Sequence, residues 1–107
     1  MNLYDIPKHA EHELFDIIHT IKNAQNIKIE RIVSYGQTTP KDKPYIQTQD
    51  ELVFVLQGQA TLLLNDISHP LTTGDSLLIP SNTPHWVTYT SSSPATIWLA
   101  IHFDKVI

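Results

Sequence analysis

The stretch Gly74-Asp-Ser-Leu-Leu-Ile-Pro-Ser-Asn-Thr-Pro-His85 decides how the rest of the chain is read. It follows the turn residues "TTGD" (72–75), where glycine supplies backbone freedom and aspartate turn hydrogen bonds. "SLLIP" (76–80) reads as a short strand, and "SNTP" (81–84) turns again into a strand, "HWVTYT" (85–90). The same punctuation continues outward. On the N-terminal side, "ELVFVLQ" (51–57) and "QATLLLN" (59–65) are strands around Gly58. Asn65-Asp66 marks a turn before the brief strand "SHPL" (68–71). On the C-terminal side, "SSSP" (91–94) leads to "TIWLAIHF" (96–103). Further upstream, "NIKIERIVS" (26–34) is the first main strand, and "TTPKDKP" (38–44) is a loop with two prolines and three charges.

Short strands at close, regular spacing imply an antiparallel sandwich or small barrel. In the strand 51–57, Val53 and Val55 share a face with Glu51, while Leu52, Phe54 and Leu56 take the other. Both faces are apolar, so the outer one needs cover from elsewhere. Residues 8–22 ("KHAEHELFDIIHTIK") place Leu14, Phe15, Ile17, Ile18 and Ile21 at helical spacing, which predicts a short N-terminal helix lying on a larger element. That helix or a second subunit would supply the cover. Trp86 and Trp98 on late strands add to the expectation of a homodimer.

Composition narrows the function classes. At 107 residues the chain is read as one domain. Seven basic residues against eleven acidic ones give a net charge of -4, with no basic stripe, so nucleic acid is not the expected partner. No apolar run approaches the ~20 residues that span a bilayer. There is no cysteine, hence no disulfide framework or thiolate chemistry. The first residues, "MNLYDIPKHAEHE", lack the layout of a secretory signal, and a cytoplasmic location is expected.

Residues 74–85 resemble the second motif of the cupin family: glycine, five residues, proline, a small turn residue and a terminal histidine. Asn82 stands where glycine is usual, and both residue types tolerate a positive φ. The spacing from Glu51 to Gly58 matches the end of the first cupin motif. "IERIVSYGQTTP", "QTQDELVFVLQGQA" and "TIWLAIHF" are similar to segments of small single-domain bacterial cupins. The resemblance implies an all-β fold, a cupin-type double-stranded β-helix or jelly-roll barrel. Residues 26–103 would form the barrel and 1–25 an N-terminal strand or helix segment.

A typical cupin binds a divalent metal through two histidines, a glutamate and a third histidine. The resemblance places the first two at Tyr45 and Gln47, the glutamate at Glu51 and the last histidine at His85. Two of four ligands are thus retained, with Gln47 offering a weaker amide oxygen. A phenol at Tyr45 would have to lose its proton to act as a ligand. His102, in an otherwise apolar strand, either replaces a missing imidazole or sits in the barrel wall bonded to a neighbour. Tyr89 shares a face with His85 and Val87 if its strand is regular; it would then bond a ligand or pack at the rim. His9, His12 and His19 fall on one polar arc of the expected helix.

Three readings follow. In the first, Glu51, His85, Gln47 and His102 hold iron, manganese, nickel or zinc, and the pocket takes a small organic ligand; a metal-dependent reaction is then possible, its nature undefined. In the second, a metal-free pocket of Tyr45, Gln47, Glu51, His85 and Tyr89 binds or senses a small molecule, or His85 carries a proton in acid–base chemistry. In the third, the domain is an oligomeric interaction module.

Overall fold

The computed structural model describes residues 2–21 and 26–104. Among the described residues eight strands appear in chain order: β1 (Leu14–Ile21), β2 (Ile27–Ser34), β3 (Asp50–Gln57), β4 (Gln59–Leu64), β5 (Ile67–Thr72), β6 (Ser76–Ile79), β7 (His85–Thr90) and β8 (Thr96–Phe103). Five form one sheet in the order β1-β2-β8-β3-β6, and three form a second in the order β5-β4-β7. Every strand pairing is antiparallel. The fold is all-β, a jelly roll of two sheets.

Turn chemistry sets the hairpins. Asn65 and Asp66 both take positive φ, 52° and 63°, as a two-residue hairpin between twisted strands requires. Asn82 does the same at 56°, in the turn that delivers His85. Gly58, at 84°, cannot be replaced freely: a Cβ there would lie 2.4 Å from Ser91 Oγ and 3.0 Å from Thr96 Cα.

Inward residues of the large sheet, Val53, Val55, Ile79 and Trp98, meet Ala60, Leu62, Leu64 and Leu71 of the small one. This is the main core. A second apolar cluster of Val33, Ala95 and Ile97 packs with Ile6, Leu14, Tyr35 and Leu56.

The helix expected over residues 8–22 does not form; no helix occurs among the described residues, and Lys22 lies outside them. Leu14–Ile21 is instead a strand paired with β2, with a register break between Ile17 and His19. The apolar spacing of "LFDIIHTI" suits a helix stripe, but isoleucine and threonine are β-branched and fit a pleated surface better. A short helix is also marginal by itself, whereas the edge of β2 offers a full row of backbone partners. The polar arc of His9, His12 and His19 therefore does not arise.

The extended segment ahead of β1 covers the Leu56 end of the outer face. Ile6 packs into the second cluster, and Tyr4 donates its hydroxyl to the Leu56 carbonyl at 3.3 Å. Arg31, only 5% exposed, ties the segment down. Its Nη1 donates to the carbonyls of Leu3 and Asp5 at 3.2 and 3.1 Å. Its Nη2 donates to Asp16 Oδ2 at 2.7 Å.

Candidate functional site

Strand alternation selects what faces the barrel interior. In β2, Lys28, Glu30 and Ile32 line the cavity, while Arg31 holds the N-terminal segment on the opposite side. In β3 and β8, Glu51, Val53, Trp98 and His102 line it too. Register places Glu51 opposite His102 and His102 opposite Lys28, one row across three strands.

His85 arrives from the facing sheet. It exchanges a pair of backbone hydrogen bonds with Tyr45, both 2.9 Å, and the two rings stack with centroids 5.8 Å apart. Asn82 donates its amide to the Gln47 carbonyl at 2.6 Å. Thr39 Oγ1 accepts the Val87 amide at 2.9 Å. The loop between β2 and β3 is thus laid along β7, which holds Tyr45 and Gln47 beside His85.

These residues enclose a cavity of about 240 Å³. Ile32, Val53, Leu62, Ile79, Val87 and Trp98 make it largely apolar, and Glu13, Lys28, Glu30, Glu51, His85 and His102 supply its charged and imidazole groups. Phe15 and Tyr45 also line it and are 51% and 39% exposed.

The hydrogen bonds fix several roles. Gln47 Nε2 donates to Glu51 Oε1 at 2.7 Å. His102 Nε2 bonds Glu30 Oε1 at 3.2 Å; a carboxylate only accepts, so this nitrogen carries hydrogen. His85 Nδ1 lies 3.0 Å from the Thr83 carbonyl. A carbonyl also only accepts, so Nδ1 donates, and in the neutral ring Nε2 bears the lone pair. That Nε2 stands 3.9 Å from Glu51 Oε1, outside hydrogen-bond range. His102 Nε2 is 4.0 Å from Glu51 Oε2. Trp98 Nε1 donates to Ser34 Oγ at 3.1 Å, and Ser34 in turn donates to Glu13 Oε2 at 2.7 Å.

Burial raises the Glu13 carboxyl above its ordinary value, opposed by the Ser34 hydrogen bond. Burial likewise pushes the Tyr45 phenol up, and the charges of Glu13, Glu51 and Glu30 push it further. The phenol is thereby moved away from the phenolate that a metal ligand needs.

Of the residues singled out in the sequence, Tyr45, Gln47, Glu51, His85 and His102 line this one cavity. Tyr89 does not. β7 pairs with β4 through a register break, with Thr61 opposite Tyr89 and Leu62 opposite Val87, so Thr88 is an extra residue. The break turns Tyr89 outward, 49% exposed, beside Thr61, Pro70 and Thr72. Glu13, Lys28 and Glu30 escaped the sequence reading. The polar pair Lys28 and Glu30, at alternate positions of an apolar strand, was the available signal; nothing in the sequence points to Glu13.

The donor set does not fit a typical divalent-metal site as the side chains stand. Gln47 turns its amide nitrogen, not its carbonyl, to Glu51, and His102 is engaged with Glu30. Among the described residues, no three histidine, aspartate or glutamate side chains are grouped to hold a metal ion.

Residues 31–102 match the Cupin domain family. A solved structure from Ralstonia eutropha JMP134, provisionally described as a mannose-6-phosphate isomerase, superposes with a TM-score of 0.89 at 35% identity. The match covers 98% of this chain and 97% of that one. A cupin superfamily protein from Desulfitobacterium hafniense DCB-2 gives a TM-score of 0.75 at 18% identity, covering 94% of this chain and 84% of that one. The Cnp3 cupin domain of Schizosaccharomyces pombe gives 0.78 at 10% identity, covering 97% and 68%. The last two speak for the fold alone. No curated protein matches.

Proposed function

This chain belongs to the cupin family, and from that premise we propose that its barrel binds a small polar organic molecule directly, with Glu51 and His85 as the recognition pair. One observation carries the reading. His85 is fixed by its Nδ1 hydrogen bond to Thr83, leaving Nε2 aimed at Glu51 across a 3.9 Å gap. Two acceptors facing each other across such a gap call for a donor from outside the chain. Gln47 donates to that same Glu51 oxygen, Oε1, which keeps a second lone pair for the ligand. In this arrangement His85 Nε2 can also take a proton from a bound ligand, with Glu51 placed to stabilise the imidazolium.

The neighbour's description as a sugar-phosphate isomerase does not transfer well. A phosphate dianion would meet three carboxylates, Glu13, Glu30 and Glu51, against the single lysine Lys28.

The test is a thermal-shift screen of untagged protein in chelator against small polar molecules. Stabilisation that persists in chelator and disappears in His85→Ala is expected; no stabilising compound, or one effective only with added metal, contradicts the reading. A second reading is favoured by the two imidazole Nε2 atoms lying 3.9 and 4.0 Å from the Glu51 carboxylate. There, iron, manganese, nickel or zinc would be held by Glu51, His85 and His102, with the Gln47 carbonyl. It requires the Gln47 amide to turn over and His102 to release Glu30.

A further inference from the structure

We propose that the molecule this cavity recognises carries a cationic head, a protonated primary or secondary amine, on a small apolar body. The inference rests on the metal-free pocket reading above and names the ligand class that reading leaves open.

The side-chain atoms at the site that lack a partner in the chain are acceptors, open to the cavity rather than sealed from it. His85 is 4% exposed, and its Nε2 makes no hydrogen bond among the described residues. Glu51 is 7% exposed. Its Oε1 accepts from Gln47, but Oε2 has only His102 Nε2 at 4.0 Å, too far for a bond. A carboxylate oxygen and an imidazole lone pair, carried by two nearly buried residues, therefore face one cavity. A second acceptor in the ligand would be repelled by both. A neutral donor satisfies one or two of them without answering the charge.

The surrounding field has the same sign. Glu13 and Glu30 join Glu51 in the lining, against one lysine, Lys28. The field also reaches Tyr45, whose phenol is pushed up first by burial and further by the charges of these three carboxylates. An ammonium ion brings two or three donors and a positive charge, so it meets both demands. The rest of the lining suits its body. Phe15, Tyr45 and Trp98 offer aromatic surface, which favours organic cations. The cavity of about 240 Å³ limits that body to a few carbons. A hydrated metal ion would make no use of the apolar walls.

A matched series separates these effects: n-butylamine (protonated at neutral pH), n-butanol and butyrate share one body and differ in head charge. Thermal shift and calorimetric titration of untagged protein in chelator are the readouts. The amine is expected to stabilise saturably, butanol to bind at least tenfold more weakly, and butyrate to have no effect. Rising salt should weaken the amine response. Glu51→Gln should lower amine affinity roughly tenfold, the loss of one charge-assisted bond. Lys28→Met and Glu30→Gln leave the Gln47–Glu51 bond intact and keep the test readable if Glu51→Gln fails to fold. The first should tighten amine binding severalfold and the second weaken it.

Butanol or butyrate binding as well as the amine overturns the cationic assignment and leaves the metal-free pocket standing. Absence of binding by all three also overturns the cationic assignment. A ligand response that requires one metal per chain overturns the pocket reading itself.

Discussion

His85 shows how a single side chain is committed before any ligand arrives. The Thr83 carbonyl, two residues earlier, takes the Nδ1 hydrogen, and stacking on Tyr45 restrains the ring plane. The free nitrogen is thereby both chosen and aimed. Glu13 illustrates the opposite, a group under strain from its surroundings. Burial raises its carboxyl, so the folded chain holds that proton more tightly than the unfolded chain does. The group's favourable contribution is present below the ordinary carboxylate range and is lost as pH rises through the raised value. Glu13→Gln keeps an acceptor for Ser34 and has no proton to lose. Relative to the wild type, it should gain stability between acid and neutral pH and show no gain at the acid end. Urea unfolding at the two pH values checks this; an equal difference at both contradicts it. At this scale the sequence was informative where a motif fixed the residue, as for Glu51 and His85. It was silent on Glu13, which precedes β1 and reaches the cavity only through tertiary placement.

At the scale of elements, two local irregularities decide what the site contains. The extra residue Thr88 sends Tyr89 to the outside, and strict alternation along "HWVTYT" gives no warning of it. The second is the N-terminal segment. Its apolar spacing fits a helix, but its β-branched residues and the open edge of β2 favour the strand that forms. What holds the residues ahead of β1 in place is Arg31, inserted among the backbone carbonyls of Leu3 and Asp5 and paired with Asp16. Asp16 is 35% exposed and can be rehydrated when its partner is removed, so the cost falls below that of a fully buried pair. Arg31→Ala is expected to destabilise the protein by about 2–3 kcal/mol, measured by denaturant titration. A loss below about 0.5 kcal/mol, the range of ordinary surface substitutions, would show that the segment is held by something else. The strands after β1 were legible because turn residues bracket them; Gly58, Asn65-Asp66, Gly74 and Asn82, all read as turn positions, take positive φ.

The whole molecule places an acidic, acceptor-rich cavity inside an apolar double sheet. Strand spacing implied an antiparallel sandwich or small barrel, and the resemblance of two motifs to those of cupins narrowed it to the jelly roll. The chemistry of its interior could not be read in this way, since it depends on which way an amide turns and which carboxylate an imidazole selects. Gln47 and His102, both candidate ligands by position, are instead bonded to Glu51 and Glu30. In the function proposed above, Glu51 and His85 meet their ligand directly. Elemental analysis of untagged protein, purified without chelator and then incubated with iron, manganese, nickel or zinc and desalted, tests it most directly. The expected result is far less than one metal per chain before and after incubation, unchanged in His85→Ala. Near-stoichiometric metal in the wild type that falls away in His85→Ala would contradict direct binding and make Glu51, His85 and His102 a metal centre.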